Sequence, residues 1–175
     1  MNQSQGYVHI YTGNGKGKTS AALGLVLRAA GAGMRCLMIQ FMKGREYSEL
    51  RALARLHDLV FVEQYGSRDF CMPGENRDEH REFARDGYDR ARAALSEGNY
   101  SVVVLDEIIT AMKAGLLSED ALLGLIGLKR PETELVLTGR GATEALIARA
   151  DLVTEMVEVK HYYSRGVPAR RGIEE

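Results

Sequence analysis

The feature that most constrains this chain is a segment near its start, residues 12–20, which reads TGNGKGKTS. It follows a short run of β-like sequence (6–11) and opens a run with helical periodicity (21–30), which is the context of a phosphate-binding P-loop. Glycines let such a loop curl so that its N–H groups point at one anion, and the helix N-terminus adds a partial positive charge. The sequence therefore predicts a nucleoside triphosphate site between the first strand and the first helix.

Two side chains of the P-loop have predicted roles, since Lys18 can reach phosphate oxygens and the Thr19 hydroxyl can ligate a bound Mg²⁺. The segment departs from the strict P-loop pattern, because Thr12 stands where a glycine is expected and the glycine comes one place later, at Gly13. Lys16 is an additional lysine inside the loop. A glycine-rich turn that binds nothing is the alternative, but the Gly-Lys-Thr ending and the flanking periodicity favour the P-loop.

Composition limits the class of protein. The 175 residues suffice for a central sheet covered by helices, so we expect a single domain over 1–175. The 23 Lys and Arg nearly balance the 24 Asp and Glu, which gives no electrostatic basis for a nucleic acid or a membrane surface as partner. The sequence shows neither a secretory leader nor an apolar run of membrane-spanning length. We therefore expect a cytoplasmic protein in which Cys36 is a buried apolar residue.

Apolar runs alternate with helical patterns, which predicts an α/β fold with a mostly parallel central sheet and helices on both faces. Strands are predicted near 7–11, 34–40, 59–63, 101–105, 134–137 and 152–157, and helices near 18–30, 46–57, 76–97, 108–114, 118–128 and 142–149. The stretches 65–76 and 159–175 are predicted loops, where function is concentrated in doubly wound folds.

An acidic pair, Asp106 and Glu107, follows the apolar run 102–105. Such a pair can be a simple helix start, because Asp is a good N-cap. With a P-loop upstream, a Mg²⁺ site is the better interpretation, since the strand end places a carboxylate beside the loop. Glu107 has two open roles: a second metal ligand, or the base that orients water in an ATPase.

Two arginines are further candidates. Arg140 lies between glycines at a strand-to-loop junction, where it can approach a phosphate or remain solvated. Arg28 lies on the first predicted helix, where it can contact the nucleotide or only solvent.

These motifs resemble, in family order and over almost the whole chain, the P-loop type of ATP:corrinoid adenosyltransferase. The matching segments are 12–19 (TGNGKGKT), 40–44 (QFMKG), 104–107 (VLDE), 137–142 (LTGRGA), 150–156 (ADLVTEM), 158–161 (EVKH) and 166–173 (GVPARRGI). The off-pattern P-loop with its additional lysine is itself a feature of that family. The resemblance implies a P-loop NTPase fold of the RecA-like type.

The resemblance also implies a chemistry. In this family a reduced corrinoid, with its cobalt as Co(I), attacks the 5′ carbon of the co-substrate ATP and expels the whole triphosphate. Co(I) is so strong a nucleophile that alignment and stabilisation of the leaving-group charge are enough, and no general base is required. The nucleotide lies reversed in the loop, with its γ-phosphate where other P-loop proteins hold an inner phosphate. An electron donor or reductase for Co(II) and a homodimeric assembly are implied as partners.

Carried over to this chain, the family's catalytic roles fall on Lys18, Thr19 and Glu107. Mg²⁺, or Mn²⁺ in its place, is expected to bind Thr19 and Glu107 with Asp106 beside them. The ATP-binding residues are expected to be Gly13, Asn14, Gly15, Lys16, Gly17, Lys18, Thr19, Ser20 and Arg28.

Two features depart from the family pattern. Members often carry a Gly-x-Gly-Phe-Thr-Trp segment whose aromatic pair packs beneath the corrin ring, and here the corresponding run 66–72 reads GSRDFCM. Phe70 is retained, and Met72 stands where the family has the Trp. Both side chains are therefore candidate contacts to the corrinoid. The alternative is that they only pack beneath a loop. Members also have a longer N-terminal segment that caps the corrinoid site, so we expect a short or missing cap.

Two other functions remain open from the sequence. A conventional P-loop NTPase or phosphotransferase would use Glu107 to align water or an acceptor hydroxyl, and would release ADP. A regulator that binds ATP or a corrinoid without turnover would show binding and no product.

Overall fold

Parallel strands form the centre of the molecule, which we describe from a computed structural model over residues 5–67 and 77–174. The strands are β1 (Val8–Thr12), β2 (Cys36–Phe41), β3 (Val60–Tyr65), β4 (Val102–Asp106), β5 (Glu134–Thr138) and β6 (Leu152–Glu155). The α-helices are α1 (Lys18–Gly31), α2 (Ser48–Leu53), α3 (Arg77–Glu97), α4 (Ile108–Lys113), α5 (Glu119–Leu128) and α6 (Glu144–Arg149). The sheet order is β3-β2-β4-β5-β1-β6, with every pairing parallel. This confirms the predicted α/β fold.

The central strands β2, β4 and β5 are buried on both faces of the sheet. Along β4, Val103 and Leu105 pack into the cluster that includes Leu95 of α3, whereas Val102 and Val104 pack with α1 through residues such as Val26. Successive strand side chains point to opposite faces, so a strand covered on both sides must be apolar throughout. This is why β4 has a continuous apolar sequence.

The strand order places the predicted site. β5 lies between the P-loop strand β1 and the strand β4 that ends at Asp106, which is the RecA-like arrangement. Because all the strands are parallel, the carboxyl ends of β1, β2, β4 and β5 meet at one edge of the sheet, where ligands bind in open α/β folds. Thr138, the last residue of β5, therefore lies between the P-loop and Asp106.

Some element boundaries differ from the sequence-based expectation. The predicted helix 46–57 is a six-residue α2 that tightens into a 3₁₀ turn at Ala54–Leu56, and its N-cap residue makes no side-chain cap hydrogen bond. A helix this short is marginal without a cap, and the 3₁₀ turn returns the chain to β3. The predicted strand 152–157 ends at Glu155. The predicted loop 159–175 contains a 3₁₀ turn at Tyr162–Arg165.

Part of the predicted loop 65–76 lies outside the described residues, and Phe70 and Met72 are in that part. In the ranges 5–67 and 77–174, none of the helices combines the length and the apolar character that crossing a membrane requires.

Candidate active site

The P-loop begins one residue later than the strict pattern because β1 continues through Thr12. Thr12 pairs with Glu155 of β6, and its hydroxyl accepts a hydrogen bond from the Ala142 N–H (3.3 Å). The chain leaves the strand at Gly13, which has φ +94°. A Cβ on Gly13 would lie 2.4 Å from the carbonyl oxygen of Met156. Glycine is therefore required at residue 13 and is not needed at residue 12.

The segment after β6 fixes the shape of the loop. The Gly15 N–H donates to the Met156 carbonyl at 2.7 Å, and a Cβ on Gly15 would approach the same oxygen to 2.7 Å. Gly17 is the N-cap of α1 and has φ +122°. The contacts with Met156 hold the backbone of the loop in its curled conformation. The loop is therefore preorganised to bind an anion.

Lys18 points inward across this loop. Its side chain is buried, and Nζ donates to the carbonyl oxygens of Gly13 and Gly15, both at 2.8 Å. Burial lowers the pKa of the Lys18 ammonium, and the nearby Glu107 carboxylate opposes that shift. An ammonium has three N–H donors, so one remains for a phosphate in the adjoining cavity.

Behind the loop, the fully buried carboxylate of Asp106 joins four elements. Its Oδ1 accepts from the hydroxyls of Thr19 (2.9 Å) and Thr138 (2.8 Å). Its Oδ2 accepts from Gln40 Nε2 (3.2 Å) and Lys43 Nζ (2.8 Å). We call these five residues the Asp106 network. It ties the start of α1 to the carboxyl ends of β2, β4 and β5.

Lys43 is one of three members of this network, with Gln40 and Thr138, to which the residue patterns gave no role. Burial alone would lower the pKa of its ammonium, but the charge and hydrogen bond of Asp106 outweigh burial and raise that pKa. Met42, immediately before it, has φ +57°. A Cβ on Gly44 would lie 2.3 Å from the Gly66 carbonyl, so the backbones of two loops meet there. In the sequence, Lys43 lies in the segment 40–44, which matches the family, and that match alone indicates no role for its side chain.

Glu107 is held in an unusual backbone conformation beside the Asp106 network. Its φ of +62° is left-handed, which is rare for a residue other than glycine. Its N–H donates to the Thr138 hydroxyl (2.9 Å), and its carboxylate accepts from the Thr110 hydroxyl. Backbone strain of this kind concentrates at functional sites, and here it accompanies a carboxylate that lines the cavity.

A cavity of 740 Å³ opens in front of the loop. Residues of four regions line it. They are Asn14, Gly15, Lys16, Gly17, Lys18, Thr19, Ser20 and Leu23 of the P-loop and α1; Lys43, Tyr47, Ser48 and Glu49 after β2; Glu107 and Arg140; and Glu158, His161, Gly172, Ile173 and Glu174 of residues 158–174, which we call the C-terminal segment. The structure thus brings Arg140 and Glu107 to the P-loop, as their motifs suggested. The C-terminal lining lies almost entirely in 159–175, one of the two predicted loops where we expect function, although the sequence indicated no individual roles for its residues.

Three of the predicted site residues in the described ranges do not line this cavity. Gly13, at the turn out of β1, lines a separate cavity of 300 Å³ instead. Asp106 is buried behind Thr19 and Lys43, so its contact with the cavity is indirect. Arg28 is exposed on α1, ten residues beyond Lys18, which corresponds to about 15 Å along a helix axis.

The donor set fits a Mg²⁺ ion that is held mainly by phosphates and water. The Thr19 hydroxyl donates its hydrogen to Asp106, which leaves its oxygen lone pairs available for a cation, and Glu107 supplies a carboxylate. In the part of the chain that the structure describes, no three His, Cys, Asp or Glu side chains form a metal-binding group. Mg²⁺ commonly binds through one or two carboxylates plus substrate phosphates rather than in a protein cage.

Comparison with known proteins connects this site to one family. The family model described as ATP:corrinoid adenosyltransferase BtuR/CobO/CobP matches residues 4–174. A corrinoid adenosyltransferase of Pseudomonas aeruginosa is 35% identical to this chain, over 97% of this chain and 84% of the relative's own length. The corrinoid adenosyltransferase of Escherichia coli K12 is 31% identical, over 97% of this chain and 86% of the relative's own length. An uncharacterized protein of Nostoc sp. is 41% identical to this chain over 89% of this chain's length. That protein is longer, and the match spans only 45% of it. The chain belongs to the ATP:corrinoid adenosyltransferase family.

Proposed function

We propose that this protein transfers the 5′-deoxyadenosyl group of ATP to the cobalt of a reduced corrinoid and releases triphosphate. The observation that carries the proposal is the preorganised P-loop cavity with Lys18, Lys43 and Arg140 on its wall, in a chain that belongs to this family. Three cations around one anion site suit a reaction whose leaving group is a polyanion.

In the proposed step the Co(I) electron pair attacks the 5′ carbon, and a cobalt–carbon bond forms. The bond from that carbon to the phosphate oxygen breaks, and its electron pair leaves with the triphosphate. Lys18, Lys43 and Arg140 would stabilise the growing charge, and the loop would hold the triphosphate in line with the attack. Mg²⁺ held by Thr19 and Glu107 would neutralise part of that charge. No proton moves in this step, so no base is required.

The cavity also bears on the orientation of the nucleotide. The basic groups cluster around the P-loop, which favours placing the triphosphate there and the nucleoside toward the opening of the cavity. Arg28 remains a nucleotide contact that only the resemblance suggests, because it is exposed on α1 and does not line the cavity. An electron donor for Co(II), a homodimer and a cytoplasmic location are further parts of the proposal and come from the resemblance.

A conventional NTPase is the second candidate, because Glu107 lines the cavity with its carboxylate held by Thr110. Product identity separates the two. Phosphorus NMR of a reaction with ATP and chemically reduced cobalamin should show intact tripolyphosphate formed in step with the alkylated corrinoid. ADP and orthophosphate as the products, formed whether or not the corrinoid is present, would support the NTPase instead.

The role of Glu107 can be tested by Glu107→Gln. We expect the Mg²⁺ concentration for half-maximal rate to rise by roughly tenfold or more, since losing even an indirect metal contact costs that much. Excess Mg²⁺ or Mn²⁺ should recover part of the rate. Glu49→Gln, which removes another carboxylate from the same cavity, is the matched control and should leave the metal requirement near wild type. A variant that binds metal normally and cannot be rescued would indicate the water-orienting role.

Phe70 remains a predicted corrinoid contact. If it walls the lower face of the corrin ring, Phe70→Ala should slow the reaction with cob(II)alamin and a mild reductant far more than the reaction with prepared cob(I)alamin. The reason is that the wall would stabilise four-coordinate Co(II) before the electron arrives, and Co(I) has already lost its axial ligands. General unfolding would lower both rates alike. Equal losses in the two assays would therefore remove Phe70 from the corrinoid site.

A further inference from the structure

The C-terminal segment reaches the P-loop through Lys16, the lysine that distinguishes this loop from the strict pattern. Lys16 Nζ donates to Glu174 Oε1 at 2.7 Å and to the Tyr162 hydroxyl at 3.0 Å. It also lies 5.7 Å from the centre of the Tyr162 ring. Lys16 and Glu174 are 158 residues apart in the sequence, so only the fold brings them together. Both of them line the cavity proposed for the triphosphate.

The groups around the Glu174 carboxylate form an anion receptor. Oε2 accepts from the Arg170 N–H (2.8 Å) and from Arg170 Nε (3.2 Å), and Oε1 accepts from Arg170 Nη2 (3.2 Å). Oε1 also accepts from the Tyr162 hydroxyl and from Lys16. The hydrogen bonds from Arg170, Lys16 and Tyr162 hold the pKa of Glu174 well below its ordinary value. A backbone N–H, a guanidinium, an ammonium and a phenol around one oxyanion are also the donors that a phosphate requires.

The charges around the cavity argue that the carboxylate leaves when a triphosphate enters. The basic side chains on the wall, among the described residues, are Lys16, Lys18, Lys43 and Arg140. The acidic ones are Glu49, Glu107, Glu158 and Glu174. Because four positive and four negative side chains line the cavity, their net attraction for a polyanion is small. Of these four carboxylates, only Glu174 accepts a hydrogen bond from a basic side chain of the P-loop, that of Lys16. A phosphate carries more charge than a carboxylate and would compete for the same donors.

We propose that Lys16, Tyr162 and Arg170 form a subsite for an end phosphate of the triphosphate, and that the Glu174 carboxylate occupies this subsite until the phosphate replaces it. The inference rests on the proposed triphosphate site and adds residues of the C-terminal segment to it. Glu174 then sets the affinity, because every binding event must first displace it.

Titration calorimetry with tripolyphosphate tests the subsite without any requirement for turnover. Glu174→Gln keeps the shape of the side chain and removes its charge, so tripolyphosphate should bind roughly three- to tenfold more tightly than to wild type. Glu158→Gln removes a charge from the same cavity and is the matched control. It should change the affinity by about twofold or less at physiological ionic strength, because Glu158 is exposed and screened.

The donors are tested in the Glu174→Gln background, where no internal carboxylate competes. Adding Arg170→Ala should weaken tripolyphosphate binding by at least about tenfold, the effect of one charge-assisted contact. Adding Tyr162→Phe should weaken binding less. Arg171→Ala, which removes the neighbouring exposed arginine, is the control and should have little effect. Circular dichroism confirms that each variant is folded.

The outcomes separate this inference from the proposed function. If wild type and Glu174→Gln both fail to bind tripolyphosphate, the P-loop assignment and the subsite are wrong together. If wild type binds and Glu174→Gln binds equally or more weakly, Glu174 does not occupy a phosphate subsite, and only this inference is overturned. Equal effects of Arg170→Ala and Arg171→Ala would overturn it too.

Discussion

Replacing Lys18 with alanine is expected to weaken ATP binding by at least about tenfold and to abolish measurable transfer. The Lys18 ammonium lies across the loop, bonded to the carbonyls of Gly13 and Gly15, and would give its remaining N–H to the triphosphate. One charge-assisted hydrogen bond contributes about 1.5–3 kcal/mol. Titration calorimetry with Mg-ATP measures the loss directly.

Lys113→Ala is a suitable control for this variant. Lys113 is an exposed lysine on the wall of a separate 300 Å³ cavity, on the other side of the P-loop near Gly13 and Gly141. Its removal changes the charge of the protein equally and should leave ATP binding almost unchanged. Wild-type affinity in Lys18→Ala, or equal losses in the two variants, would show that the P-loop assignment is wrong.

Asp106→Asn is expected to lower the free energy of unfolding by about 3–5 kcal/mol, the usual cost of removing one partner from a buried ion pair. The Asp106 carboxylate is fully buried and accepts hydrogen bonds at both oxygens. An asparagine would turn an N–H₂ group toward either the Gln40 and Lys43 donors or the two threonine hydroxyls. Urea denaturation measures the change. Asp89→Asn, on the exposed surface of α3, is the control and should have little effect.

A double variant shows whether the lost stability comes from the unpaired charge. Lys43→Met in the Asp106→Asn background removes the ammonium that has lost its partner, so stability should partly recover. An Asp106→Asn protein as stable as wild type, or a double variant whose losses simply add, would contradict the ion pair that the structure places there.

The sequence predicted the elements well because its signals are local. The switch from β-like to helical periodicity around residues 12–20 reflects short-range sterics and burial, and the structure places β1 and α1 within one residue of the predicted bounds. The apolar run 102–105 similarly predicted a strand covered on both faces, and β4 is buried throughout.

The connections between elements could not be predicted in the same way. Asp106 meets Lys43 and Thr138 only because β2, β4 and β5 are neighbours in the sheet, and strand order has no local signature. The contact of Lys16 with Glu174 depends in addition on the path of the last residues across the P-loop. The segments 40–44 and 166–173 match the family, but nothing in their spacing indicates a role for Lys43 or Arg170.

Formation of the cobalt–carbon bond is the most direct test of the proposed function. The protein is incubated without oxygen with chemically prepared cob(I)alamin, Mg²⁺ and ATP that carries ¹³C at the 5′ carbon, and the corrinoid product is analysed by optical spectroscopy and mass spectrometry. The proposed function predicts a light-sensitive alkylcobalt spectrum, the labelled carbon in the corrinoid and one equivalent of intact tripolyphosphate. Consumption of ATP to ADP and orthophosphate, with the corrinoid unlabelled, would contradict it.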